Sequence, residues 1–146
     1  MTKLGDVAIL NPFQIIYSSR PFGFDDAILS GILLDARRCN ARDGISGALI
    51  CRHDIYLQFL EGPEAAVQAT YERIRRDNRH LEVKIRATRY RTERMFGDWG
   101  MLHDPAKSWI WSPADIADGA MDRVGQDSLW DVFESLAANA KSDAEP

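Results

Sequence analysis

A glutamine, Gln58, lies in the middle of the apolar stretch YLQFLEG at positions 56–62. Successive side chains of a strand point to opposite faces, so Tyr56, Gln58 and Leu60 would share one face of a sheet. If that face is covered, the Gln58 amide is buried with two N–H donors and a carbonyl oxygen to pair. Leaving a buried polar group unpaired costs about 1–3 kcal/mol, so the sequence predicts a polar partner beside Gln58.

Two other residues, Tyr17 and Asn40, have side chains suited to the same polar site. Tyr17 ends the first predicted strand, which in a βαββαβ sheet is normally the central neighbour of the strand with Gln58. A phenol hydroxyl paired with an amide satisfies both groups, and on residue types alone this structural interpretation is the better one. Asn40 follows the first predicted helix, where a turn or C-cap is its ordinary role. Together the three side chains could also grip a flat heteroaromatic ring.

Charged and aromatic residues give two further candidate contacts. The stretch RIRRDNRH places Arg73, Asp77 and His80 on one side of the second predicted helix and its end. Arg and His bind phosphate, but a helix C-terminus disfavours an anion, so a charged helix end is the slightly better interpretation. The stretch FGDWGM places Trp99 and Met101 on one face of a strand without a bulge, where core packing is the usual role.

Composition and charge limit the classes of function. The chain has 146 residues, of which 45% are hydrophobic, and this suits one globular domain. Its formal net charge of -4 argues against nucleic acid as the main partner. A signal peptide and an apolar stretch long enough to span a membrane are both missing from the sequence, which predicts a cytoplasmic location. Neither a catalytic motif nor a metal-ligand spacing is found, so an enzyme is not predicted.

The predicted element order is βαββαββ, an α+β fold. Helical spacing of apolar residues is found over 26–38 and again from Pro63 to about Arg76. The order predicts a ferredoxin-like, mostly antiparallel sheet with two helices on one face. The strands are predicted in FQIIYSS, in a hairpin within ISGALICRHDIYLQFLEG that turns at His53 and Asp54, in VKIRATRYR and in MFGDWGMLH.

Two C-terminal helices are predicted to cover the other face of the sheet. One begins at Ser112 and Pro113, and a stronger one follows Gly125. The polar tail KSDAEP is predicted to be disordered. The apolar residues of the second helix are Leu129, Val132, Phe133, Leu136 and Ala140.

Five of these segments together resemble the BLUF family, flavin-binding blue-light sensors with a ferredoxin-like fold. IIYSS, NARDGISGALI, YLQFLEGP, RIRRDNRH and FGDWGM occur in the family's order and at close to its spacing. The resemblance runs from about Phe13 to His103. It implies a BLUF flavin-binding domain at 13–104, and residues 1–12 form an N-terminal extension longer than the family leads us to expect. The sequence pattern adds a C-terminal helical cap at 105–141 and a disordered tail at 142–146.

The resemblance implies specific roles for five residues around the flavin ring. Tyr17 and Gln58 would be the photoactive pair, and Asn40 would bind the ring. Ile32 and Ile74, from the two helices, would sandwich it. Gln58 would then be buried because its amide lies between the Tyr17 hydroxyl and the edge of the isoalloxazine.

The remaining expected contacts concern the rest of the cofactor, which the family implies is FAD, with FMN also compatible. Trp99 and Met101 match the family's W-x-M strand, in which either residue can flank the glutamine. Two positions depart from the family pattern, since Cys39 stands where His or Asn is common and Gly100 replaces a usual serine. The residues expected toward the ribityl and phosphate portion are Arg73, Asp77, Arg79 and His80.

In the mechanism that the resemblance implies, Tyr17 gives the light-excited flavin an electron and then a proton, and takes both back. The lasting change is a rotated or tautomerised Gln58 amide and a small red shift of the flavin absorption. Output is expected through a homo-oligomer or a separate downstream partner protein. Two alternatives remain open: a light-inert flavin-binding module, and a small hydrolase of acylphosphatase-like fold, whose phosphate-cradling loop is not evident in SSRPFGFDD.

Overall fold

The elements follow the predicted order. The structure, a computed structural model, describes residues 12–21, 26–52, 55–77, 80–97, 99–104, 123 and 125–144. The predicted βαββαβ core is confirmed, and a short strand and a helix follow it. Within the described ranges the elements are β1 (Phe13–Pro21), α1 (Asp26–Asp43), β2 (Ser46–Arg52), β3 (Ile55–Gly62), α2 (Glu64–Arg75), β4 (His80–Tyr90), β5 (Leu102–Asp104) and α3 (Gln126–Ala144).

The five strands form one sheet in the order β4-β1-β3-β2-β5. The first four are antiparallel to their neighbours, and β5 runs parallel to β2. The expectation that the first and third strands are central neighbours is confirmed, and Tyr17 lies directly opposite Gln58 in their ladder.

Each face of the sheet has its own hydrophobic core. On the face toward α1 and α2, strand residues such as Ile15, Tyr17 and Leu60 are buried with Ile32 and Val67 of the helices. The opposite face is covered by α3, as predicted for the second C-terminal helix. The helix predicted from Ser112 lies outside the described residues except for Arg123, which is helical. The core under α3 includes Ile16, Ile50, Leu57, Phe59, Leu129, Trp130 and Phe133.

Two helices are longer than the sequence pattern indicated. α1 does not end at residue 38 but continues to Asp43, because the first residue able to end it cheaply is Gly44, whose φ is +72°. α3 continues to Ala144, so residues 142–144 of the predicted disordered tail are helical; no Gly or Pro interrupts the chain there. None of the helices in the described residues combines the length and apolar character that a bilayer crossing requires.

The strand predicted over MFGDWGMLH is wrong for most of its length, because β5 contains only Leu102–Asp104. The backbone N–H groups of Met95 and Phe96 donate instead to the Glu61 carboxylate, at 2.8 and 2.6 Å. These N–H groups are therefore not free to join a ladder. Trp99 and Met101 consequently lie before the strand and do not share a strand face.

We expect Gly47→Ala to lower the free energy of unfolding by about 3 kcal/mol or more. The added methyl group would overlap rigid backbone, and overpacking of that kind has a cost at the upper end of the usual range. A Cβ at Gly47 would lie 2.0 Å from the Phe59 carbonyl oxygen of the neighbouring strand. Gly125→Ala is the control, because a Cβ there meets nothing within 4 Å, and a change within about 1 kcal/mol is expected. Urea unfolding of both variants tests this, and equal stabilities would contradict the close approach at Gly47.

Candidate functional site

A cavity of about 240 Å³ opens between β3 and the two helices on its face of the sheet. Gln58 and Leu60 line it from β3, Ile32 from α1, and Ile74 from the last turn of α2. Its volume lies just below the about 300–1,000 Å³ of most small-molecule sites, which suits a flat ring with the rest of a ligand outside. The lining residues are Ile32, Asp35, Ala36, Arg38, Cys39, Asn40, Gln58, Leu60, Arg73, Ile74, Asp77 and Met101.

Three buried polar atoms in the cavity lining or next to it have no hydrogen-bond partner among the described residues. They are Asn40 Oδ1 and Gln58 Oε1 in the lining, and the hydroxyl of Tyr17, the residue opposite Gln58. Each of these residues is at most 1% exposed. The purely structural pairing of the Tyr17 hydroxyl with the Gln58 carbonyl oxygen is therefore not made. Because native proteins pair almost all buried polar atoms, three unpaired atoms at one site indicate a polar ligand. A flat ring with N–H and carbonyl groups along its edge fits this set.

Asn40 is a residue of the last turn of α1, and it does not follow the helix as the sequence pattern indicated. Its Nδ2 donates to the Gly100 carbonyl oxygen at 2.7 Å, which fixes the amide and leaves Oδ1 free for a donor. A Cβ at Gly100 would lie 3.3 Å from the Arg37 carbonyl oxygen, so this glycine lets the segment before β5 approach α1 closely.

Of the pair left open by the sequence, Met101 lines the cavity together with Gln58. It is 2% exposed, and its carbonyl oxygen accepts a hydrogen bond from Arg37 Nε at 3.1 Å. Trp99 packs against the core on the other face, where its ring lies 6.4 Å from that of Phe96. A contact of Trp99 with the cofactor stays a prediction.

Seven of the eleven residues predicted for the site line the cavity, and the remaining four have different positions. Tyr17 lies opposite Gln58 without lining it, and Trp99 faces the other core. Arg79 lies outside the described residues, and His80 begins β4, but its side chain lies outside the described part. The seven are Ile32, Asn40, Gln58, Arg73, Ile74, Asp77 and Met101.

Five lining residues were not predicted to be in the site: Asp35, Ala36, Arg38, Cys39 and Leu60. The first four lie on α1. Their helical spacing from Ile32 and Asn40 is a signal that would have identified three of them, had the helix been extended to residue 43. Leu60 is two residues from Gln58 on the same strand face, so alternation alone would have identified it.

Burial raises the pKa of the Tyr17 hydroxyl well above its ordinary value. The neighbouring Tyr71 adds to this shift, and Arg73 opposes it. The two tyrosine rings meet edge to face, with centroids 5.3 Å apart. Tyr17 therefore keeps its proton across the neutral pH range, and it can lose the proton only if its pKa falls sharply.

We expect the stability of the protein to fall with rising pH because of Tyr17. In the unfolded chain the phenol loses its proton near pH 10, whereas in the folded chain it keeps the proton to higher pH. Above about pH 10 the free energy of unfolding therefore falls by up to about 1.4 kcal/mol per pH unit. Urea unfolding of wild type and Tyr17→Phe on both sides of this pH measures the difference. An equal change of unfolding free energy with pH in the two proteins would contradict the raised pKa of Tyr17.

Comparisons with known proteins agree on one family. The BLUF model, described as sensors of blue-light using FAD, matches residues 13–102. A photoactivated adenylate cyclase subunit beta of Euglena gracilis is 39% identical over 83 residues, which is 57% of this chain and 9% of that protein. Its counterpart in Euglena longa is 37% identical over 83 residues. The chain thus spans 9% of the length of these two relatives.

Solved structures agree with the family match. The dark state of BlrB, a BLUF protein, is 26% identical with a TM-score of 0.73, covering 90% of this chain and 98% of that one. The photo-activated state of BlsA is 24% identical with a TM-score of 0.71, covering 86% of this chain and 94% of that one. The second likeness shows the fold alone.

Proposed function

Because the chain belongs to the BLUF family of flavin-binding blue-light sensors, we propose that Tyr17 and Gln58 convert light absorption into a rearrangement of hydrogen bonds. The observation that supports this most strongly is the unpaired state of the Tyr17 hydroxyl and Gln58 Oε1, two buried atoms on residues that face each other across the β1–β3 ladder. Because neither atom has a hydrogen bond within the protein, each can form a new one without first breaking another.

The residues of the cavity fit a flavin. Ile32 and Ile74 line the cavity from separate helices and would pack on the two faces of the ring. Asn40 Oδ1 would accept a hydrogen bond from a ring N–H, and the Gln58 amide would meet the ring edge. We infer FAD as the cofactor from the description of the family, with FMN compatible with the same ring contacts.

Charged residues at the cavity would hold the part of the cofactor beyond the ring. Arg73 lines the cavity and lies 3.9 Å from Asp43, a weak ion pair that a phosphate could replace. Asp77 lines the same region and would meet hydroxyl groups. Arg79 and His80 stay predicted contacts on the same side.

Bound flavin would supply the chromophore and, in its excited state, an acceptor for an electron and a proton. Tyr17 gives up both in the proposed mechanism. Its raised pKa holds the proton on the neutral phenol, and loss of an electron makes that proton strongly acidic, so electron loss comes first. Both then return to Tyr17, so no net oxidation remains. Gln58 keeps the change, because rotation or tautomerisation of its amide exchanges donor and acceptor.

The rearranged amide must act on an element with two arrangements if a signal is to leave the site. Met101 is the proposed first element, since it lines the cavity with Gln58 and its segment leads into β5. We propose that the signal reaches a separate partner protein or a second copy of the chain through the C-terminal part.

We expect Tyr17→Phe to bind flavin and to lose the light-induced red shift. The ring and its packing survive, whereas the hydroxyl that supplies the proton is removed. Tyr71→Phe is a matched control, because it removes a hydroxyl from the ring that packs on Tyr17 without touching the proposed pair. Absorption spectra before and after blue illumination measure the shift. A normal shift in Tyr17→Phe would overturn the assignment.

Gln58→Leu should likewise retain flavin and lose the red shift, because leucine has no donor or acceptor to exchange. Leu60→Met is the control, since it changes a lining residue two positions along the same strand with little change of volume. The same light-minus-dark spectra apply. If Gln58→Leu shifts as far as wild type, the amide is not the switching group.

A further inference from the structure

Glu61 is a buried carboxylate that the proposed photochemistry does not use. It is 0% exposed and lies three residues after Gln58 on the same strand, on the opposite face of the sheet. A buried charge is tolerated only when hydrogen bonds replace its hydration. The carboxylate accepts four, from Gln14 Nε2 at 3.0 Å, Ser46 Oγ at 2.9 Å, the Met95 N–H at 2.8 Å and the Phe96 N–H at 2.6 Å.

Two of those donors begin the segment that ends at the cavity. Met95 and Phe96 are anchored on Glu61, and six residues after Met95 the chain reaches Met101, which lines the cavity with Gln58. A displacement that reached Met95 or Phe96 would therefore change the hydrogen bonds that their N–H groups donate to Glu61. Because a carboxylate offers about four acceptor positions, Glu61 is saturated and must re-pair when one donor moves.

A third donor of Glu61 leads to α3. Gln14 donates to Glu61 and accepts from Arg89 Nε at 2.8 Å. The Arg89 guanidinium lies 3.9 Å from the centre of the Trp130 ring and 3.3 Å from Glu134, both on α3. An unbroken series of direct contacts thus joins the 95–96 backbone to the C-terminal helix.

We propose that Glu61 is a positioning residue that transmits the light-induced change from the 95–101 segment to α3 through Gln14 and Arg89. This inference rests on the proposed function, since it requires a light-induced change at the cavity. Displacement of the Met95 or Phe96 N–H alters the hydrogen bonds left for Gln14. Gln14 in turn helps to position Arg89, which also donates to Met95 Sδ at 3.6 Å and holds α3 by charge and by its contact with the Trp130 ring.

Gln14→Met, in the full flavin-loaded protein, tests this route. Methionine has a similar length and volume but neither donates to Glu61 nor accepts from Arg89, while the other three bonds of Glu61 remain. Hydrogen exchange of the α3 amides, measured by mass spectrometry in darkness and under blue light, reports the response of the helix. The red shift of the flavin is recorded on the same samples. Tyr90→Phe, which removes the hydrogen bond of Tyr90 to Glu64 beside Arg89, is the control.

The expected result is a full red shift in Gln14→Met with a light-induced difference in α3 exchange reduced by about threefold or more, the effect of a mutation within a coupling network. Tyr90→Phe should retain both. A merely structural role of Gln14 would change exchange in darkness but leave the light-minus-dark difference intact, and that result would overturn the proposal. A red shift in wild type without any α3 difference would overturn it as well.

Glu134→Gln provides a second variant in case Gln14→Met does not fold. Glu134 is partly exposed and accepts from both Arg89 and Arg91, so its substitution weakens the last link without disturbing the core. The α3 difference should again fall while the red shift stays, and an unchanged difference would refute the route. Absence of a red shift in wild type would instead refute the proposed function, so the two failures are distinguishable.

Discussion

The pairing of β1 with β3 at the centre of the sheet is the constraint on which the rest of the structure depends. Its register places Tyr17 opposite Gln58 and turns both toward the core that contains the cavity. A slip of one residue would turn one of the two side chains to the other face and separate them. The helices α1 and α2 then need only cover this face to bury both polar side chains, with Gln58 in the lining of the cavity.

Strand β3 combines two opposite solutions to the burial of polar groups. On the cavity face, Gln58 keeps an acceptor without a partner, which leaves it free to respond to a ligand. On the other face, Glu61 has its four bonds and fixes the chain around it. A sensor requires both, since a movable group produces a signal only against a rigid frame.

The sequence predicted what depends on local pattern. Strand alternation and element order were enough to place Tyr17 and Gln58 together, because both follow from a period of two and a common topology. The position of Met101 was not predictable, because the bonds that hold its segment join residues 34 to 64 positions apart. Asn40 was assigned to a turn for the related reason that Gly44, not the polar residues before it, ends α1.

The central claim, that this cavity holds a flavin whose hydrogen bonds Tyr17 and Gln58 rearrange, is tested most directly by the visible absorption of the wild-type protein. One spectrum is taken in darkness, a second after blue illumination and a third after return to darkness. The account predicts a flavin spectrum that moves slightly to the red without bleaching and then recovers. A flavin spectrum unchanged by light, or a protein that stays colourless with added FAD, would contradict it.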